Sequence, residues 1–309
     1  MNPEWIQPND QTDQIDQVDP TDAIDSTDAM TQLSFRCRNH LLDVQAKTWI
    51  VGVLNITPDS FSDGGRFLDP GAAADQALRM VEEGADILEL GAESTRPGAV
   101  PVSVDEELRR ILLVLRDLRP KLTIPVAVDT YKPEVARVVL EEGADIINDV
   151  YGVRGEGRLA AVVAEKRAGL VIMHMKGTPQ DMQIEPHYND AVGEVLAFLA
   201  DRVAFAERMG VDPQSIIVDP GLGFGKRPQD NLVLLRRLAE LDCLGKPIMV
   251  GPSRKSLVGN VLNLPVEQRQ YGTAACVAAA VLHGAAFVRV HDVRPCAHVV
   301  RMLDAIRVA

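Results

Sequence analysis

Beyond residue 33 the sequence predicts an α/β chain of one domain, a (β/α)8 or TIM barrel, and three observations carry that expectation. Eight short apolar runs alternate with eight amphipathic segments. The junction from segment to run repeats itself. Polar clusters crowd at one end of the runs, the C-terminal one.

Residues 1–33 stand apart from the barrel of residues 34–309. Asp10, Asp13, Asp16, Asp19, Asp22, Asp25 and Asp28 recur every third residue, and with Glu4 they give this segment −8 of the formal −12, leaving about −4 for the rest. A period of three fits neither helix nor strand, and like charges repel, so a disordered acidic tail is expected. Its spacing lacks the loop of calcium hands.

The apolar runs that follow are Ile50–Leu54, Ile87–Leu90, Pro125–Asp129, Ile146–Asp149, Leu170–His174, Ile216–Asp219, Ile248–Gly251 and Phe287–His291. Continuous β-branched runs suit strands buried on both faces, as in a parallel sheet. Helical patterns lie between them at 70–83, 104–118, 133–142, 157–167, 189–209, 229–242, 266–284 and 293–307. The sequence Glu82-Glu83-Gly84-Ala85-Asp86-Ile87 returns as Glu141-Glu142-Gly143-Ala144-Asp145-Ile146, a helix closed by Gly before a strand begins. Eight such units point to closure.

Composition narrows the function. An apolar fraction of 46% supports a sizeable core. The acidic balance argues against a nucleic-acid surface. Four cysteines, Cys37, Cys243, Cys276 and Cys296, form no CxxC pair and suggest free thiols in a reducing compartment. No apolar run is long enough for a bilayer, and the N-terminus lacks the pattern of a secretory signal, so a cytoplasmic protein is expected.

Barrel enzymes place their chemistry at the C-terminal strand ends. Those ends read Asn55–Gly65, Gly91–Gly98, Asp129–Lys132, Asn148–Val150, Met173–Met175, Asp219–Lys226, Gly251–Ser256 and Arg289–Asp292. Asp129, Asn148 and Asp219 supply carboxylate, amide and carboxylate to one mouth, a set suited to a planar heterocycle with several N–H donors and ring acceptors. Asn55, Arg96, Arg254, Arg289 and His291 offer donors and positive charge to an anion. Lys255 and Ser256 stand where a loop becomes a helix, whose free N–H groups favour a carboxylate or phosphate. Plainer readings exist for each: Asp129 as a helix cap, Tyr131 and Lys132 as a helix start, His174 and His187 as structural histidines. Gly221-Leu222-Gly223-Phe224-Gly225-Lys226 misses both the Walker and the G-x-G-x-x-G patterns.

The blocks Asn55–Gly65, Glu93–Gly98, Asp129–Lys132, Asp219–Lys226, Ser253–Ser256 and Arg289–Val293 resemble the signature blocks of the dihydropteroate synthases, in order and spacing, from about Val51 to the end of the chain. Two departures are Ala92, where the family often has a second glycine, and Tyr151 in place of a serine. The resemblance implies that Asp129, Asn148, Asp219 and Lys255 hold a pterin, with Met173 beneath it. Asn55 would bind Mg2+ on a diphosphate gripped by Arg96, Arg289 and His291. Phe61, Thr95, Pro97, Phe224 and Ser256 would form the 4-aminobenzoate pocket, with Asp129, Lys255, Asp63 and Arg96 as the catalytic set. It also implies a homodimer and two mobile loops. Two other classes stay open: a corrinoid-dependent methyltransferase on the same barrel, and a catalytically silent pterin-binding paralogue.

Overall fold

In a computed structural model of the protein, residues 33–56, 70–96 and 98–309 are described; the acidic segment to residue 32, the stretch 57–69 and Pro97 lie outside them. Each predicted apolar run is a strand. They are β3 (Trp49–Asn55), β4 (Ile87–Gly91), β5 (Val126–Asp129), β6 (Ile146–Asp149), β7 (Gly169–Met173), β8 (Ile216–Asp219), β9 (Ile248–Val250) and β10 (Ala285–Val290). All pair in parallel with their sequence neighbours, and β10 closes on β3. The helices between them are α1 (Pro70–Glu82), α2 (Val104–Leu118), α3 (Pro133–Glu141), α4 (Arg158–Lys166), α5 (Ala191–Arg208), α6 (Pro228–Arg236), α7 (Ser256–Leu262), α8 (Gln270–Leu282) and α9 (Val293–Arg307).

The repeated junction has a physical basis. Gly84 and Gly143 take φ of +107° and +103°, which only glycine adopts without strain. Two residues on, Asp86 accepts from Ile50 N at 3.0 Å and Asp145 accepts from Val126 N at 3.0 Å. Each aspartate therefore caps the start of the preceding strand, and the echo marks one structural unit used twice.

Two helices are shorter than their patterns. The pattern at 229–242 yields α6 and then a 3-10 segment, Leu238–Leu244, in which Leu238 and Leu241 are both fully buried. At three residues per turn a spacing of three places both directly in line on one face. The pattern at 266–284 likewise starts with a 3-10 turn, Val266–Gln268, before α8.

An element the sequence reading lacks is the antiparallel hairpin β1 (Ser34–Cys37) and β2 (His40–Asp43). Its Arg36 and Leu41 point outward and are exposed, while its inward positions, Phe35, Cys37 and Leu42, are buried. They join the lower barrel interior made of Val51, Ile87, Ala127, Ile146, Val171, Ile217, Met249 and Phe287. Phe35 meets Phe287 edge-on at 5.7 Å, and an added Cβ at Gly169 would lie 2.5 Å from Phe35. The hairpin thus stops the N-terminal end of the barrel.

Side chains alternate in and out along each strand. The next interior position on each strand, two residues toward the other mouth, is Val53, Glu89, Asp129, Asn148, Met173, Asp219, Gly251 and Arg289. Apolar filling gives way there to a polar floor.

Candidate active site

The register aligns the predicted residues. Asn55 pairs with Gly91, Gly91 with Asp129, Asp129 with Asn148, and Met173 with Asp219. Above them opens a cleft of about 1060 Å3, lined among others by Asn55, Thr95, Arg96, Asp129, Phe224, Lys255, Ser256 and His291. Phe61, Asp63 and Pro97 lie outside the described residues.

The floor is built around Arg289, which is nearly buried. Its guanidinium stands 3.5 Å from Glu89 and 3.5 Å from Asp219, and touches the Met173 sulfur at 3.8 Å. Gly251 makes room for it, since a Cβ there would sit 3.0 Å from Arg289 Nε. Neither carboxylate contact is a true hydrogen bond. Four buried polar atoms have no hydrogen-bond partner: Glu89 Oε2, Asn148 Oδ1, Asn148 Nδ2 and Asp219 Oδ2. The other Asp219 oxygen is used, accepting from Gly221 N at 2.7 Å. An unpaired buried polar atom costs about 1–3 kcal/mol, so this floor is made for a ligand with complementary donors and acceptors.

Electrostatics follow from crowding three carboxylates against two cations. Burial raises Glu89 above the ordinary carboxylate range, with Arg289 pulling it down and Asp219 pushing it up. Asp129 keeps part of its surface open to the cleft, yet its low-dielectric surroundings and the Glu89 charge hold it well above the usual value. Burial lowers Lys255 to about 7, with Arg289 adding to the effect and Asp219 and Asp129 opposing it. Burial disfavours charge on Arg289 as well, but Glu89, Asp219 and Asp129 outweigh it and fix the guanidinium as a cation. His291 accepts or donates with Ser253 Oγ at 3.1 Å and is pushed to about 4 by burial and Arg254, so it is neutral.

Asp129 caps no helix, because Lys132 is the N-cap of α3. Lys132 reaches instead to Glu93 and Glu107, each at 2.5 Å, and Glu93 also accepts from Val102 N at 3.0 Å. That bridge fixes both ends of the loop after β4, whose Arg96 side chain is exposed and without a partner among the described residues. Tyr151 packs against Tyr131 at 4.5 Å. Arg254, one of the cations expected at the mouth, is committed elsewhere, to Asp292 at 2.6 Å.

Three site residues escape the sequence reading. Glu89 hides inside an apolar run, and only its parity with Ile87, two residues before it, reveals an inward carboxylate. Met182 and Gln183 line the cleft from the loop after β7, where no periodicity exists to read. Among the described residues no cluster of three or more His, Cys, Asp or Glu is placed to hold a metal. Asn55 is a neutral oxygen donor at the open end of β3, suited to Mg2+ arriving on a phosphate, since that ion is commonly held by one or two protein ligands plus substrate phosphates.

Residues 51–291 match the family described as pterin binding enzyme. A dihydropteroate synthase of Synechocystis sp. is 45% identical over 267 residues, 86% of this chain and 92% of the relative. The fold is similar to dihydropteroate synthase of Xanthomonas albilineans with 4-aminobenzoic acid, at a TM-score of 0.84 and 41% identity, covering 90% of this chain and 100% of that one. The same enzyme in complex with 7,8-dihydropteroate gives 0.80 and 38%, covering 89% and 99%. With motifs, barrel and floor in agreement, the chain belongs to the pterin-binding enzymes and, among them, to the dihydropteroate synthases.

Proposed function

We propose that this protein condenses 6-hydroxymethyl-7,8-dihydropterin diphosphate with 4-aminobenzoate, giving 7,8-dihydropteroate and diphosphate in folate biosynthesis. The observation that carries the reading is the set of four unpartnered polar atoms on Glu89, Asn148 and Asp219. An amide flanked by carboxylates matches the aminopyrimidinone edge of a pterin, which offers N–H donors beside a carbonyl and ring nitrogens. Asp129, Asn148, Asp219 and Lys255 would hold that ring, with Met173 beneath it. The barrel and its blocks make the chain a transferase of this family.

The reaction is a substitution at the methylene carbon. The C–O bond to diphosphate breaks with its electron pair leaving on oxygen, and the cation left behind spreads into the pterin. Asp129, facing that ring, stabilises the cation electrostatically, the term that usually dominates such catalysis. Arg96, Arg289 and His291 hold the departing diphosphate; His291, being neutral, acts as an N–H donor and not as a charge. Asn55 would hold Mg2+, which supplies positive charge to the leaving group. The amine of 4-aminobenzoate forms the new C–N bond and loses a proton. Its pocket would comprise Thr95, Phe224 and Ser256 of the cleft, and the family resemblance adds Phe61, Asp63 and Pro97, which lie outside the described residues.

Exposed apolar residues Val261, Leu262, Val266 and Tyr271 gather on α7, α8 and the turn between them, and support a homodimer through that face. Free cysteines, and the finding that no helix among the described residues is long and apolar enough to cross a membrane, support a cytoplasmic setting. The deciding experiment is turnover with pterin diphosphate, Mg2+ and 4-aminobenzoate, followed by diphosphate release. Absence of product with active controls would sink the assignment, and methyl transfer to a corrinoid protein would replace it.

A further inference from the structure

The motif Gly221-Leu222-Gly223-Phe224-Gly225-Lys226 is no nucleotide loop, and its lysine has no part in the chemistry above. Yet Lys226 is 3% exposed. Its ammonium lies 2.8 Å from His174 Nδ1, 2.9 Å from Gly221 O, 3.1 Å from Phe224 O and 3.3 Å from His174 O. Among the described residues no carboxylate forms an ion pair with it. A buried cation without a counter-ion is costly, so a lysine survives there only where its donors do something an apolar residue cannot. Burial brings it to about 7, against the pull of Asp219, and keeps His174 near 2 and therefore neutral.

What the ammonium joins is two loops. Gly221, Gly223 and Gly225 all take left-handed backbone, and at Gly221 a Cβ would lie 1.9 Å from His174 O. The loop after β8 thus lies backbone to backbone on the loop after β7. The remaining carbonyls are held from that second loop: Gly223 O accepts from Gln183 Nε2 at 2.8 Å and Gly225 O from the Tyr188 hydroxyl at 2.7 Å. Phe224 is fixed in consequence, its ring 4.0 Å from Lys255 Nζ and facing the cleft beside Gln183.

We infer that Lys226 is a positioning residue for the second substrate, riveting the two loops so that Phe224 and Gln183 present a fixed wall to 4-aminobenzoate. The inference rests on the reaction proposed above. The pterin floor meets this rivet only where Gly221 N donates to Asp219, while Asp129, Asn148 and Met173 lie on other strands, which separates the two binding steps.

The test is Lys226→Met, which keeps the stem and removes the donors. At saturating pterin diphosphate and Mg2+, KM for 4-aminobenzoate should rise by about tenfold to a hundredfold, the range that small misplacement of binding groups produces. The calorimetric Kd for a pterin lacking the second substrate should stay within about twofold. Lys226→Gln, with two donors left, should fall between K226M and the wild type. Unchanged KM, or a loss of active fraction with both substrates affected alike, makes Lys226 a fold-stabilising residue and overturns the inference. If K226M does not fold, K226Q decides by the same split; if neither folds, the inference falls. Wild-type protein without turnover instead sinks the underlying reaction, and the inference with it.

Discussion

Asp129 shares its surroundings with Glu89, Asp219, Arg289 and Lys255, so its charge is the most consequential single feature of the floor. Asp129→Asn keeps shape and most polar contacts and removes only the charge that faces the developing cation. We expect turnover to fall by about 10²–10³, as for deletion of one preorganised electrostatic group, with the midpoint of urea unfolding little changed. Near wild-type turnover would contradict the role given to this carboxylate. The same crowding fixes the pH dependence. In the proposed mechanism Asp129 acts ionised, and its pKa is raised, so activity should be present above that value and lost as pH falls, at a pH higher than an ordinary carboxylate requires. Lys255 donates only while protonated and is lowered to about 7, so activity should also fall as pH rises through about 7. The result is a bell in kcat/KM whose limbs belong to the coupled set and not to single residues. Lys255→Arg should move the alkaline limb upward. A profile flat from acid to neutral pH would refute the assignment. Glu89 shows why part of this floor was illegible. Its partner Arg289 lies on the last strand, and nothing within a few residues of either tells of the other. Asn148 and Asp219 were legible because each stands in the last two residues of a strand, where barrel chemistry is expected.

At the scale of elements, the strands were readable because parallel strands bury both faces and leave continuous apolar runs. The hairpin was not. Its strands have four residues each, exposed Leu41 beside buried Leu42 breaks the polar–apolar alternation, and the turn between them, Arg38-Asn39, lacks the Asn-Gly or Asp-Gly signal. Arg38 accepts a left-handed φ of 52° there and spends its side chain on Leu140 O and Ala144 O, both at 2.8 Å, which ties the hairpin to the end of α3. Phe35 is the stopper of the barrel's lower end. Phe35→Ala should cost about 3–5 kcal/mol, the range for emptying a buried aromatic site. Because the catalytic mouth is at the opposite end, kcat and both KM values should hold at temperatures where the variant stays folded. A destabilisation below about 1 kcal/mol in urea unfolding would mean that the hairpin only covers the barrel and does not fill it.

The molecule as a whole divides its labour between a floor and a rim, and this division predicts the order of binding. The strand residues proposed to hold the pterin stand in register at the strand ends, held before any ligand arrives. The pocket proposed for 4-aminobenzoate is instead shared between the fixed Phe224 wall and the loop carrying Thr95 and Arg96, whose guanidinium has no protein partner among the described residues. A ligand as small as 4-aminobenzoate makes few contacts, and ordering a side chain at an interface costs about 0.5–1.5 kcal/mol, more for several together. In the proposed reaction, diphosphate with Mg2+ would supply the anion that Arg96 lacks, and in drawing it inward would complete the rim. Pterin diphosphate should therefore bind first. By calorimetry the free enzyme should take up 4-aminobenzoate weakly or not detectably, and a pterin with diphosphate and Mg2+ should create the site. Arg96→Ala should abolish that gain while leaving pterin binding largely intact, since its floor contacts are untouched. Sulfonamides, which carry the same aniline ring beside a partly anionic group, should then compete with 4-aminobenzoate and require the same bound diphosphate. Binding of 4-aminobenzoate to the free enzyme as tight as to the diphosphate complex would show a rim complete from the start, and the order would no longer follow.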